Sequence, residues 1–472
     1  MAIQNVKGTH DIIGEEASVY SAVENILKTT ASAYGYNEVR PPVVEHTDLF
    51  IRGVGEGSDV VRKEMYTFDD KAGRSITLRP EFTAGIIRLT VQNKLLATHE
   101  LPLKQFYCGP VFRYERPQLG RYRQFIQFGV ESIGHASLYN DIECITLACN
   151  MLENLGLEGV VLKINTLGDD ASRNAYKAAL KDFFKDKIEN MCPDCKSRYE
   201  LIPLRILDCK VPEDQQIVKD APKMSDFISK ESSERFAAIL RELDNQGIAY
   251  EVDDTLVRGL DYYSETVFEF HYTSNKGVNY GAIGAGGHYD KLVKEVGGPD
   301  LPGIGFSFGV ERLVSVLKDD DKIAEESFKG IDVYVMPLDP QSQSFALLLA
   351  NTLRGISIST DFCFDNVKLG NMFKRADKKQ AKVAVIVGEE EIKNGTVNIK
   401  NLQTKEQVTV EVEKFVETVV DTLESLEEHD DCCCEDDCCC GGHHDHDHEC
   451  CCGEHHHEHG HECCCGHDKK GV

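Results

Sequence analysis

The chain has 472 residues, of which 41% are hydrophobic and 28% charged, and a formal net charge of −27. That length and balance suit two to four globular domains, while the acidity argues against a general nucleic-acid coat protein, which would be basic. No run is long and apolar enough to span a bilayer, and Met1 to Gly8 lacks the basic start and apolar stretch of a secretory signal, so the cytoplasm is the expected compartment.

Taken in chain order, residues 1 to about 325 read as mixed helix and strand. Lys104–Arg113, Arg123–Ser132, Tyr262–Phe270 and Gly303–Gly309 alternate or run apolar as strands do. No regular strand-helix-strand rhythm accompanies them, so the fold class is α+β: a mainly antiparallel sheet flanked by helices. The stretch from about 170 to 250 interrupts this pattern. Ala171–Glu189 and Ser232–Gly247 have helical periodicity, with Gly247 as a C-terminal stop, and predict an inserted helical subdomain.

From 329 to 425 the rhythm becomes that of a small α/β domain. Strands are predicted at Ile331–Pro337, Ile356–Thr360 and Lys382–Gly388, and helices at Gln341–Leu353, Leu369–Lys379 and Val412–Leu426. Residues 427–472 form a third segment, low in complexity and nearly free of aliphatic and aromatic side chains. Such a segment cannot bury enough surface to offset its ordering entropy and is expected to be disordered.

The cysteines follow the same division. Twelve of nineteen lie between residues 427 and 472, as four Cys-Cys-Cys runs, among eleven histidines and fourteen acids. Thiolate and imidazole prefer zinc, nickel, cobalt and copper(I), and adjacent cysteines pair poorly with each other. The tail therefore predicts binding of Zn2+ or Ni2+ through Cys432, Cys433, Cys438, Cys439, His443, His444, His446, Cys450, His455, His456, Cys463 and Cys464. A solvated acidic appendage is the plainer alternative. The other seven cysteines are scattered, as in a reduced cytoplasmic protein. Cys192-Pro-Asp-Cys195, with Cys209 downstream, has metal-knuckle spacing, but tetrahedral zinc needs four ligands and no fourth stands out, which leaves reduced thiols as the simpler reading.

No phosphate-binding glycine loop of the common nucleotide folds is present. Instead, arginines recur beside strands. Thr77-Leu-Arg-Pro-Glu-Phe-Thr83 runs from a strand into a helix, and Val111–Phe125 sets four arginines around a Pro/Gly loop. Arg258 stands beside Gly259 ahead of a strand, and Gly303–Leu313 leads into a helix carrying Arg312. A lone arginine of this kind is usually a solvated edge residue; the ordered set is what carries information.

That set resembles class II aminoacyl-tRNA synthetases, and specifically the histidyl-tRNA synthetase family. Arg40-Pro-Pro42 is similar to class II motif 1, Phe112-Arg-Tyr-Glu115 with the loop to Arg123 to motif 2, and Gly309-Val-Glu-Arg-Leu313 to motif 3. Arg258-Gly-Leu-Asp-Tyr-Tyr263 and Gly286-Gly-His-Tyr-Asp290 resemble the signatures of the histidine enzymes, and Leu369–Gly388 resembles part of their anticodon-binding domain. The resemblance covers residues 1 to about 425. It implies ATP with Mg2+, histidine and tRNA(His) as ligands, and a homodimer paired through motif 1.

The resemblance also implies roles. Arg113 and Arg258 would be catalytic, acting on the α-phosphate from two sides, and Glu115, Arg121 and Arg312 would join Arg113 in holding ATP. Arginine suits this, since its planar fork meets phosphate bidentately and stays charged. Glu81, Thr83, Gln127, Glu131, Arg258, Tyr262, Tyr263 and Tyr289 would take histidine. Arg116, Gln118 and Arg123 would meet the tRNA acceptor end, and Lys374 and Arg375 the anticodon region. A solvated helix face is the plain alternative for Lys374 and Arg375. The chain departs from the family pattern at His288, where arginine is usual, and at Phe82, where a smaller residue is expected. A non-catalytic relative that supports ATP phosphoribosyltransferase, and a metal-reservoir protein on a synthetase body, are the alternative functions.

Overall fold

The computed structural model describes residues 3–115, 120–322, 330–365 and 367–430. Arg116, Gln118 and every tail residue named above as a metal ligand lie outside these. Two units are present, one within Met1–Phe328 and one within Lys329–Val472.

The first unit is built on eight strands: β1 (Asn37–Glu38), β2 (Leu103–Phe112), β3 (Gln124–Ile133), β4 (Val161–Thr166), β5 (Tyr250–Val252), β6 (Ser264–Thr273), β7 (Asn279–Tyr289) and β8 (Gly303–Gly309). Their order across the sheet is β1-β2-β3-β8-β7-β6-β4-β5. The six central strands pair antiparallel, and only the short end strands β1 and β5 join parallel, so the expected mainly antiparallel sheet is present.

The period-two alternation of strands divides the sheet into two faces. On β3, Phe128 and Val130 join the main apolar cluster with Val19, Val23, Leu147, Met151 and Leu313, contributed by helices Glu15–Ala33, Leu138–Asn154 and Val310–Asp319. The intervening positions Gln127, Gly129 and Glu131 face the other way. That face is lined by a second cluster containing Phe82, Tyr107, Tyr262, Tyr263 and Tyr289, and it carries the polar groups described below.

The inserted region is helical, as expected, with helices at Asp170–Phe184, Pro193–Leu201, Pro212–Val218 and Lys230–Asn245. The first three enclose their own small core around Tyr176, Leu180, Phe184, Cys195 and Ile206. The fourth sends Ile239 and Leu243 into the main core instead. Gly247 follows it with φ +72, the left-handed turn that ends a helix cleanly in glycine.

In the second unit, β9 (Val333–Pro337), β10 (Thr360–Phe362), β11 (Val383–Val387), β12 (Thr396–Asn401) and β13 (Gln407–Glu411) form one sheet in the order β10-β9-β11-β12-β13. Helices Gln343–Gly355, Leu369–Lys378 and Phe415–Asp430 accompany it. Two predicted strands are displaced. Residues 356–359 form a turn after helix Gln343–Gly355, with Ser357 at φ +66, so β10 begins only at Thr360. Tyr262 and Tyr263 precede β6 and pack on each other with ring centroids 4.5 Å apart.

Candidate active site

A cavity of about 380 Å³ opens on the polar face of the large sheet. Ten sequence-predicted residues line it: Glu81, Thr83, Arg113, Glu115, Arg121, Gln127, Arg258, Tyr262, Tyr263 and Arg312. They come from five separate stretches of chain, brought together by the β2-β3-β8-β7-β6 sequence of neighbours.

Arginines define one part of the cavity. Arg113 is anchored through Nε to the Pro80 carbonyl at 2.8 Å, with its guanidinium beside the Phe125 ring. Arg258 is gripped by Glu269, which also takes a hydrogen bond from His271 at 2.9 Å, and it lies over the Tyr263 ring at 5.4 Å. Arg312 donates to the Ala282 carbonyl, and Arg121 sits 3.5 Å from Glu115. Burial, followed by the charges of Arg121 and Arg113, lowers the Arg312 pKa from the usual arginine value. Cations held this close need an anion to relieve them, and a polyphosphate is the natural one. Glu64 faces the same cavity, its carboxyl raised first by burial and then by neighbouring Glu115. Two crowded carboxylates beside a cluster of arginines suit a hard divalent cation.

The other part is a nest of hydroxyls and carboxylates. Glu81 accepts from the Thr83 and Ala84 amides at 2.6 and 3.0 Å, capping the helix Thr83–Gln92. Thr83 Oγ1 donates to Glu131 at 2.7 Å, and Tyr289 donates to the other Glu131 oxygen at 2.9 Å. Tyr107 adds a longer contact of 3.4 Å. Burial pushes the Glu131 carboxyl up to about 8 and raises that of Glu81. Gln127 donates to Ser307 at 2.9 Å, while its Oε1 is buried with no hydrogen-bond partner among the described residues. An orphaned acceptor inside a cavity awaits a donor from a ligand.

Glu131 and Tyr289 do not line the cavity itself; they form the layer beneath Thr83 and Tyr262. Arg123 is turned aside, stacked 3.8 Å over Tyr114 and donating to the Glu115 carbonyl. Lys374 and Arg375 lie in the second unit on helix Leu369–Lys378. Arg375 is paired with Asp365 at 2.8 Å, and Lys374 lines a separate hollow with Lys382, Lys400 and Lys405.

His288 is 3% exposed and away from the cavity. Its two ring nitrogens meet Asp141 at 3.0 Å and Asp290 at 3.1 Å. Burial disfavours a charged ring, but the two carboxylates outweigh it and push the imidazole up to about 9. His288 is thus held as a buried cation between two carboxylates. Phe82 stacks on Tyr107 at 4.3 Å and lies 3.8 Å under the Arg79 guanidinium, so its ring is accommodated in full.

Sequence reasoning missed Arg205 and Asp59. Arg205, from the insertion, lines the cavity and donates to the Gly259 carbonyl at 3.1 Å, while Asp59 pairs with both Arg205 and Arg198. Nothing local marks them, because their partners lie far away in sequence.

An antiparallel sheet with half-buried arginines on one face and a helix entering beside them is the class II synthetase architecture. Residues 8–313 match the family model described as histidyl-tRNA synthetase, and residues 332–422 match the anticodon binding domain model. The chain is 45% identical over 413 residues to histidine--tRNA ligase of Bacillus subtilis, covering 87% of this chain and 96% of that protein. It is 46% identical over 421 residues to that of Thermosipho africanus, covering 89% and 99%. The crystal structure of apo Staphylococcus aureus histidyl-tRNA synthetase superposes with a TM-score of 0.75 at 35% identity, covering 89% of this chain and 100% of that one. The chain belongs to the histidyl-tRNA synthetase family.

Proposed function

We propose that the protein is a histidine–tRNA ligase that joins histidine to the 3′ end of tRNA(His) in the cytoplasm. In the first step a histidine carboxylate oxygen attacks the α-phosphorus of ATP, and the bond to pyrophosphate breaks, leaving histidyl-adenylate. In the second a ribose hydroxyl of the tRNA attacks the activated carbonyl and AMP leaves. The observation that carries this reading is the convergence in one cavity of Arg113, Arg121, Arg258 and Arg312 with the polar nest of Glu81, Thr83 and Gln127.

Arg113 and Arg258 approach the reacting phosphate and stabilise the charge that develops there. Arg312 and Arg121 hold the distal phosphates. Glu64 and Glu115 hold the magnesium that arrives with ATP, which neutralises phosphate charge. Gln127 Oε1 and the Glu81 carboxylate accept from the substrate ammonium. Glu131, reached past Thr83, and Tyr262 or Tyr263 satisfy the imidazole nitrogens. A side chain lacking those nitrogens leaves buried polar groups unpaired, which is a strong basis for discrimination.

Arg116, Gln118 and Arg123 are assigned to the acceptor end, and Lys374 and Arg375 to the anticodon region. A homodimer paired through Arg40-Pro-Pro42 and its neighbouring strand completes the assembly. The tail is assigned soft-metal binding, as a store or as a regulator.

Histidine-dependent exchange of pyrophosphate into ATP tests the core of the reading; pure protein that exchanges nothing would reject it in favour of the non-catalytic relative. The presence of residues 332–422 and of Arg258-Gly-Leu-Asp-Tyr-Tyr263 speaks against that alternative. For the tail, bound zinc and nickel are counted under reducing conditions on the full chain and on a chain ending at Asp430. Several ions lost on truncation support metal binding; equal counts make the tail a solvated appendage.

A further inference from the structure

We propose that the inserted helical region holds one structural zinc ion, bound by Cys192, Cys195, Cys209 and Asp214. The ligand atoms of these four residues all lie within 4.8 Å of one another. Cys192 Sγ is 3.8 Å from Cys209 Sγ, and Cys209 Sγ is 3.2 Å from Asp214 Oδ2. Ligands at the zinc distances of about 2.0–2.3 Å in a tetrahedron stand about 3.3–3.8 Å apart, so these two separations match, and a spread of at most 4.8 Å closes with small side-chain adjustments. A disulfide requires sulfurs about 2.0 Å apart, and this pair is far from that.

Local structure explains the convergence. Cys192 caps helix Pro193–Leu201, its sulfur accepting from the Cys195 amide at 3.4 Å, so Cys-x-x-Cys puts both thiols at one helix end. Cys209 follows the turn after Pro203–Ile206, and Asp214 lies in the first turn of Pro212–Val218. The chain thus brings two helix starts face to face with their sulfur and oxygen atoms between them.

Asp214 is the second, independent observation. It is 1% exposed, and its carboxylate meets the Cys192 amide at 3.1 and 3.3 Å and the Cys209 thiol at 3.2 Å, with the Cys192 and Cys195 thiols also beside it. No lysine or arginine pairs with it among the described residues. An interior carboxylate without a cation is costly. A divalent metal removes that cost and is the chemistry that three thiols and a carboxylate recognise best. Four protein ligands leave no open position, so the ion is structural.

The consequence reaches the active site. Arg198 and Arg205 lie between Cys195 and Cys209 and clasp Asp59 at 3.1 and 3.3 Å, and Arg205 also holds the Gly259 carbonyl beside Arg258. The metal would cross-link both ends of the segment that makes these contacts.

Because the tail carries its own thiols, the test uses a chain ending at Asp430. That part contains both matched domains, residues 8–313 and 332–422, and relatives covered over 96–99% of their own length have no counterpart of the tail. Protein purified from zinc-replete cells under reducing conditions is expected to hold one zinc per chain by elemental analysis. Cys195→Ser and Cys209→Ser should each lose it. Asp214→Cys should keep it, since four thiolates also bind zinc, and after cobalt exchange should shift the tetrahedral cobalt absorption to longer wavelength. Far-ultraviolet circular dichroism of each variant reports whether it folded. Wild-type protein without zinc, or zinc that survives either serine variant, would overturn the site. Unchanged zinc affinity in Asp214→Ala, or an unchanged cobalt spectrum in Asp214→Cys, would remove Asp214 as a ligand and overturn the proposal as stated.

Discussion

Replacing His288 by asparagine should remove a pH-dependent part of the stability of the first unit. The ring is buried between Asp141 and Asp290, and its folded pKa is raised from 6.5 to about 9. A cation whose pKa rises on folding stabilises the native state fully below the unfolded value, and that contribution disappears as pH climbs through the folded value. The difference between 6.5 and about 9 corresponds to roughly 3 kcal/mol. The stability gap between wild type and His288→Asn, from urea unfolding followed by circular dichroism, should therefore be level just below pH 6.5, above the range in which Asp141 and Asp290 titrate. It should shrink by about 3 kcal/mol by pH 10. Taking the gap cancels the titration of groups that do not meet the ring, while Asp141 and Asp290, which the ring lowers, titrate at acid pH outside this window. His288→Arg, which stays charged, should stay folded without this slope. A gap that does not change between pH 6.5 and 10 would refute the protonated, doubly paired ring.

Arg258→Ala should lower the rate of histidine-dependent pyrophosphate exchange by about two to three orders of magnitude, the usual cost of removing one group that stabilises developing charge. Histidine affinity should change far less; a large loss of affinity with normal exchange at saturation would reject the catalytic role. Gly305→Ala would place a methyl group on the Glu131 carboxylate and the Val130 carbonyl. Overpacking of that kind costs about 1–3 kcal/mol, and the displaced Glu131 should raise the KM for histidine on the order of tenfold, with a smaller effect on the KM for ATP. Equal changes in both constants would mean that Glu131 does not serve the histidine side.

The sequence by itself determined the elements and the kind of chemistry. Period-two runs such as Gln124–Ile133 and the glycine-rich Gly303–Gly309 are strands because alternating side chains must divide between a core and a second face. Arginines ahead of and behind such strands pointed to anion chemistry, and ordered motifs marked the family. What sequence spacing cannot encode is which distant groups meet. Tyr262 and Tyr263 left the strand in which they were expected, and Glu131 sank below Thr83 into a buried layer whose low polarity pushes its carboxyl up to about 8. His288, a departure from the family pattern, became a buried cation outside the cavity because folding placed Asp141 and Asp290 on either side. The same holds for Asp214, an ordinary acid in an exposed-looking stretch until the chain turned it onto three thiols. Local periodicity follows from a few neighbouring residues, whereas the pairing of charges and ligands from remote segments is decided only when the tertiary structure excludes water from between them.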